Sequence, residues 1–468
     1  MRARARQVAG GEPLLAALVA FAALGYTAWG WLRYADLSTG VDLAIFDQVL
    51  WHYSRFETPA STLSGAPAHT GIGNILGDHF HPILALLTPL YWIWADPRTL
   101  IAAQAVLLAA AAVPIFLYAR RRVGRRPALM FAAAYLVSWT VLSGVAYDFH
   151  EVAFAPVLIA TAVLAADERR PWLLAAAIVA LLLTKEDLGI LVAVLGVMFL
   201  AQRRVLEGVA TVAAGIGGYL VVTKLAIPHF ARGAPYPYWS YSAFGPDVPS
   251  AAKAMLADPL GTIAALFDER TKLRTDAALF VPVLGLVVAS PLLLPVALLV
   301  AERMLSSRGA YWGTIYHYSL TVAPLLFMGA ADGLGRLVRA PRGRISAAGA
   351  VLLLSFAAGA KFSPAGELNN PELYKRTPAE AAAFDALARV PDGVSVATQA
   401  HLVSHLSHRG QIRLIRPGVA DTDYVLYDPT GPGFPTAEPA VVAQVVAEKR
   451  PRYRLVAGSA GVELLARR

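Results

Sequence analysis

The 468-residue chain has no cysteine and little charge. The first absence excludes disulfides, thiolate nucleophiles and Cys-ligated metals, and leaves the redox compartment undetermined. Charged residues are 16% of the chain and hydrophobic ones 57%, whereas a soluble domain carries about 25% charge. One water-soluble core cannot enclose that much apolar surface, so the excess faces lipid. No internal repeat is visible. The formal net charge of +9 does not mark a nucleic-acid binder, because the arginines cluster beside apolar stretches instead of alternating with aromatics along a groove.

What is present is a series of long apolar runs. Residues 14–31, 101–119, 205–227 and 345–360 each approach the roughly 20 residues that carry a helix across hydrocarbon. The first run follows Arg2, Arg4 and Arg6, has no small-residue cleavage site before Arg33 and Tyr34, and reads as a retained anchor. Basic clusters mark cytoplasmic loops: Arg2, Arg4 and Arg6; Arg120, Arg121, Arg122, Arg125 and Arg126; Arg169 and Arg170; Arg203 and Arg204; and Arg336, Arg339, Arg342 and Arg344. An even number of crossings must separate any two of these clusters.

That condition is met by spans at 14–34, 100–119, 128–147, 152–166, 172–184, 188–201 and 205–227, a pair broken at Ser290 and Pro291, and spans at 318–334 and 345–360. The expected fold is an all-α polytopic membrane protein of about eleven transmembrane helices, inserted in the cytoplasmic membrane with its N-terminus inside. Residues 1–362 would form the membrane domain, with a long first outer loop at 35–97. Within that loop 42–55 looks helical, and the aromatic-rich stretch 80–94 is too short for a confident crossing and reads as interfacial or re-entrant. Residues 363–468 change to short strands at 394–397, 412–415 and 424–427 and amphipathic helices at 379–388 and 437–448, which predict a soluble α/β domain on the extracytoplasmic side.

Ionisable groups near membrane depth are costly unless paired or solvated, so their placement is the best functional signal. On this topology they collect at the outer ends: Asp42, Asp47, Asp78, His79 and His81 in the first loop; Asp148, His150 and Glu151 between two spans; Lys185, Glu186 and Asp187 between the next two; and Arg303 with His317. Asp42 follows Gly40 and Val41 where a helix N-cap belongs, and Asp47 lies about one and a half turns on. Capping alone leaves the polar groups later in the same loop unexplained. The run Asp78-His79-Phe80-His81 has donors suited to a divalent metal or to a phosphate, and equally to a structural role. Lys185 suits a phosphate as a point charge or an internal pair with Glu186. Arg303 and His317 flank a loop rich in Ser, Gly, Tyr and Trp and fit an anion site. The aromatic segment 235–241 reads as resting at the headgroup level, with sugar stacking as the other reading. His401, His405 and His408 share helical spacing beside Arg409 and read as a solvated face.

The order Asp42-Leu-Ala-Ile-Phe-Asp-Gln-Val-Leu-Trp51, Gly77-Asp-His-Phe-His-Pro82, Pro89-Leu-Tyr-Trp92, Tyr147-Asp-Phe-His150, Lys185-Glu-Asp-Leu-Gly189 and Tyr316-His-Tyr318 resembles a bacterial family of predicted multi-pass membrane proteins of unknown function. That family in turn looks like a branch of the GT-C glycosyltransferases. The resemblance implies an inverting transferase that takes a sugar from a polyprenyl-phosphate donor and delivers it to a glycan, lipid or protein acceptor of the cell envelope, with the bilayer holding the lipid. It implies Asp42 as the general base, with Asp47 second. Lys185, Arg303 and His317 are implied as holders of the lipid phosphate, and Asp148 and Glu151 as a second acidic motif. Because His150 lies inside that motif and Asp78-His79 in the first loop, dependence on a divalent metal is left open. The competing class is a transporter or flippase of a lipid-linked or anionic substrate, which would place its charges near the midplane.

Overall fold

The structure, a computed structural model, describes residues 12–63, 73–234, 236, 238–431 and 438–468. Arg2, Arg4, Arg6, Pro235 and Pro237 lie outside them. Among the described residues six helices are long and apolar enough to cross a membrane: α1 (Pro13–Ala35), α3 (Pro97–Val123), α4 (Arg125–Ala146), α8 (Val205–Phe230), α11 (His317–Leu337) and α12 (Pro341–Phe362). Between them stand α2 (Val41–Ser54), α5 (Ala155–Asp167), α6 (Pro171–Leu182), α7 (Leu188–Ala201), α9 (Arg270–Phe280) and α10 (Leu293–Met304). In α3, α4 and α11 between 61% and 78% of the most apolar window is buried, against 22–28% in α1, α8 and α12. The first three therefore form the centre of the bundle and the second three its lipid-facing periphery.

Glycine sets the closest helix pair. A Cβ at Gly196 of α7 would stand 2.5 Å from the Val212 nitrogen, and one at Gly215 of α8 would stand 2.3 Å from the Ala193 nitrogen. With no side chain there, the two backbones touch, the usual arrangement of small residues where helices pack without a hydrophobic drive in lipid. The expected stretch 80–94 folds as a 3-10 segment, Pro82–Leu87, and a six-residue helix, Thr88–Ile93. It is far shorter than a span and leaves Leu86, Trp92 and Ile93 exposed.

The helices alternate so that their connections sort by chemistry. At one end Arg122 pairs with Asp167 at 2.5 Å and with Asp332 at 2.9 Å, while Arg336 and the Ser290 hydroxyl each reach Asp332 at 2.8 Å. This network ties α3, α5 and α11 together and leaves Asp332, buried in a largely apolar helix, fully partnered. At the other end lie α2, the 3-10 turn Glu151–Phe154 and the links from α6 to α7 and from α10 to α11.

Helix α12 leads through short 3-10 segments to α13 (Pro378–Ala388). A five-stranded sheet follows, made of β1 (Ser395–Thr398), β2 (Gln411–Leu414), β3 (Tyr424–Tyr427), β4 (Tyr453–Ser459) and β5 (Val462–Arg467), with α14 (Pro439–Lys449) after β3. The order is β2-β1-β3-β5-β4; β1 is parallel to both β2 and β3, and β5 is antiparallel to β3 and β4. The β4–β5 hairpin is absent from the sequence reading. Its turn residues Ala460 and Gly461 both take positive φ, 47° and 85°, which matches the twist of a tight hairpin but with Ala where Asn or Asp gives the recognisable signal.

Candidate functional site

Helix α2 is the element on which the site is hung. Asp148, from the connection after α4, accepts from the backbone N–H of Gly40 at 2.9 Å and of Leu43 at 3.3 Å. It thereby caps the start of α2 from across the fold. Gly40 permits the approach, since a Cβ there would meet an Asp148 oxygen at 2.9 Å. Burial and the nearby Asp42 push the Asp148 carboxyl up, against the Gly40 hydrogen bond. The same connection reaches Asp42 twice: the Tyr147 hydroxyl donates to its Oδ2 at 3.2 Å and His150 Nε2 stands 3.5 Å from that atom. His150 Nδ1 lies 3.0 Å from the carbonyl of Asp148; a carbonyl only accepts, so Nδ1 carries hydrogen and Nε2 is the nitrogen turned toward Asp42.

Asp42, Ile45 and Phe46, one helical stripe of α2, line a cavity of about 290 Å³. Asp78, His79, His81, His150, Glu151, Lys185 and His317 line it as well. Lys185 Nζ pairs with Glu151 at 2.9 Å. Burial pushes this carboxyl up, but Lys185 and then His150 and His81 outweigh it and hold Glu151 well below the carboxylate range. The imidazoles of His150 and His317 stack with centroids 3.9 Å apart. His81 and His317 each bury Nδ1 with no hydrogen-bond partner, so two nitrogens on this wall are unsatisfied by protein.

Other candidates stand behind the lining. Glu186 accepts from the Phe80 N–H at 3.2 Å and the Tyr236 hydroxyl at 3.1 Å, and pairs with His79 Nδ1 at 2.6 Å. Burial pushes Glu186 up and His79 down, and their mutual attraction reverses both, leaving the carboxyl low and the imidazole raised. Burial carries Asp187 up to about 6 against the pull of Lys185, and its Oδ1 is buried without a partner. Arg303 is held by the carbonyls of Tyr311 and Gly313 and by Ser319 Oγ at 2.6 Å, and it is not among the cavity residues. It braces the loop before α11. Asp47 points away from the cavity altogether.

Arg308, Tyr311, Tyr318, Tyr147 and Tyr238 also line the cavity. Arg308 lies in an irregular turn where no periodicity marks it. Tyr238 was legible only as part of an aromatic segment; instead of resting among headgroups it stacks on His79 at 4.1 Å and donates to Asp78. The three histidines of the C-terminal domain are likewise not a solvated face. His401 pairs with Asp428 at 3.1 Å, His405 stacks on Tyr34 at 4.1 Å and His408 stacks on Trp51 at 4.4 Å. His401 is covered within its own domain by Asp428, whereas His405 and His408 are covered because this segment docks on the end of α1 and on α2, contacts between positions more than 350 residues apart that local spacing cannot reveal. Among the described residues no three His, Asp or Glu side chains converge as a metal site.

The family described as "Predicted membrane protein (DUF2079)" matches residues 33–464. No curated protein matches the chain in sequence. Among solved structures, ArnT from Cupriavidus metallidurans bound to undecaprenyl phosphate is similar with a TM-score of 0.56 and 13% identity, over 95% of this chain and 97% of that one. The same protein in the apo state gives a TM-score of 0.54 at 12% identity over the same shares. At these identities the likeness establishes the GT-C-like fold.

Proposed function

Because the chain belongs to the predicted membrane protein family DUF2079 and has a GT-C-like fold, we propose that it is an inverting glycosyltransferase using a polyprenyl-phosphate-linked sugar. The observation that carries the reading is the composition of one cavity, whose lining holds the carboxylate of Asp42 together with Lys185, Arg308 and two imidazoles with unpartnered nitrogens. The match to a protein solved with undecaprenyl phosphate supports the lipid class.

In this reaction Asp42 takes the proton of the acceptor hydroxyl as its oxygen bonds to the sugar's anomeric carbon. The bond from that carbon to the phosphate oxygen breaks, and the lipid monophosphate leaves with the electron pair. The Tyr147 hydroxyl holds the Asp42 carboxylate in line, and Lys185, Arg308, His81 and His317 stabilise the departing charge. Asp78 and Tyr238 sit at the same cavity as sugar contacts. The arginine clusters of the sequence support an orientation with the N-terminus in the cytoplasm and the cavity and C-terminal domain outside. An acceptor in the envelope, whether glycan, lipid or protein, then meets the donor at the outer leaflet.

Turnover of polyprenyl-phosphate sugars by the protein in nanodiscs tests this. Asp42→Asn is expected to lower kcat by about 10²–10⁴-fold, the range of a positioned general base, with the fold retained. Absence of transfer and of donor hydrolysis across a broad panel, together with lipid movement in a scrambling assay, would replace the enzyme with a transporter.

A further inference from the structure

The C-terminal domain touches the helix that carries Asp42, and it does so through buried polar groups. Asp47 has 0% exposure and accepts three hydrogen bonds: from the Tyr91 hydroxyl at 2.6 Å, from Ser407 Oγ at 2.5 Å and from His408 Nδ1 at 2.9 Å. Gln48 donates to the Ser407 carbonyl at 2.7 Å and accepts from Ser61 Oγ and the Thr62 N–H. Trp51 stacks on His408, and Ala44 lies in the same apolar cluster as Leu402, Val403 and Leu406. Residues 44, 47, 48 and 51 are one helical stripe, and 42, 45 and 46 are another, because five residues turn an α-helix by about 140° from Asp42 to Asp47. One face of α2 is thus the cavity wall and another is the seat of the C-terminal domain. Thr39 Oγ1 and Ser404 Oγ add a contact of 3.0 Å just before the helix begins.

We infer that Asp47 is a positioning residue through which Ser407 and His408 of the C-terminal domain fix α2, and with it Asp42, at the cavity. This rests on the reading of Asp42 as the base. The Asp148 cap holds only the first turn of α2, and Leu43, Val49 and Leu50 pack the helix against the membrane domain through non-directional apolar contact; the C-terminal domain adds directional hydrogen bonds on a different face, a turn and a half from the cap, and these fix the helix in rotation as well as in place.

The test uses the full chain in nanodiscs with Asp47→Asn, Ser407→Ala and His408→Gln, none of which alters a cavity residue. Hydrogen exchange of the amides in 41–54 is expected to rise about tenfold in each variant, as local opening becomes easier, while exchange in β1 and β3 stays protected and shows the domain folded. In the same preparations kcat is expected to fall about tenfold or more, with KM for the donor within about twofold, the signature of a misplaced reacting group and not of lost substrate contact. Unchanged exchange at 41–54 in all three variants overturns the inference, and so does raised exchange with kcat unaltered. If the parent and Asp42→Asn are equally inert toward every donor, the enzymatic reading has failed instead. Exchange alone then decides whether the domain anchors the helix.

Discussion

Replacing Asp148 separates its two roles, as a capping acceptor and as a charge. Asp148→Ala removes both oxygens and leaves the N–H groups of Gly40 and Leu43, bonded at 2.9 and 3.3 Å, without an acceptor in a buried place. Each orphaned donor costs about 1–3 kcal/mol, so for the two a loss of about 2–6 kcal/mol is expected, concentrated at the start of α2. Asp148→Asn keeps one oxygen for the cap and removes the charge that burial and Asp42 disfavour. A neutral acceptor in place of a charged one loses about 1 kcal/mol of hydrogen bonding, and relief of the repulsion offsets a comparable amount. The Asn variant should therefore stay within about 1 kcal/mol of the parent. Thermal unfolding in nanodiscs gives the order of stability, and kcat for sugar transfer reports on Asp42, where a displacement of about 1 Å is enough for roughly a hundredfold loss. Equal destabilisation by Asn and Ala would show that charge and not capping is what matters. A neutral Ala variant would show that α2 starts correctly without Asp148, and either result refutes the reasoning.

Lys185→Met should destabilise by about 3–5 kcal/mol because it strands Glu151 as a buried charge, and adding Glu151→Gln should restore most of the melting temperature without restoring turnover. The His79–Glu186 pair sets a pH window. The raised imidazole contributes stability that is complete below 6.5 and lost as pH climbs through its folded value; the depressed carboxyl contributes stability that is complete above 4.5 and lost as pH falls through its own. Melting temperature should accordingly be higher between pH 4.5 and 6.5 than at pH 9 by an amount that Glu186→Gln abolishes. Gly196→Val puts a side chain where only 2.5 Å is free, and should lower stability by about 1–3 kcal/mol through overpacking, with the defect mapped by exchange to α7 and α8.

Much of this arrangement is written locally. Runs of apolar residues announce α1, α3, α4, α7, α8 and α12, and the alternation of arginine-rich with Asp- and His-rich connections reproduces the sorting of the two ends. The strand at Tyr424–Tyr427 and the helix ending at Ala388 appear where the period of the apolar residues puts them. Eight of the charged or imidazole side chains singled out from the sequence, Asp42 and Lys185 among them, line the cavity. What stays hidden is direction across the fold. Nothing around Arg303 says that two carbonyls of the following loop and the Ser319 hydroxyl at the start of α11 engage it while Arg308, five residues later, lines the cavity. Helical geometry separates Asp42 from Asp47, but which of them meets the C-terminal domain is decided by Ser407 and His408.

The ionic network at the arginine end also bears on how the chain is made. An unpaired Asp in an apolar segment costs up to about 2.5–3.5 kcal/mol to insert, and α11 carries Asp332 near its arginine end, with Arg336 one turn on as a first partner. Its further partner Arg122 belongs to α3 and is synthesised some 200 residues earlier. By the time α11 leaves the ribosome this counter-charge is already embedded beside the place Asp332 will occupy, so the order of synthesis supplies the acidic group with a waiting partner, and a late helix is drawn to its place in the bundle by one that came before it.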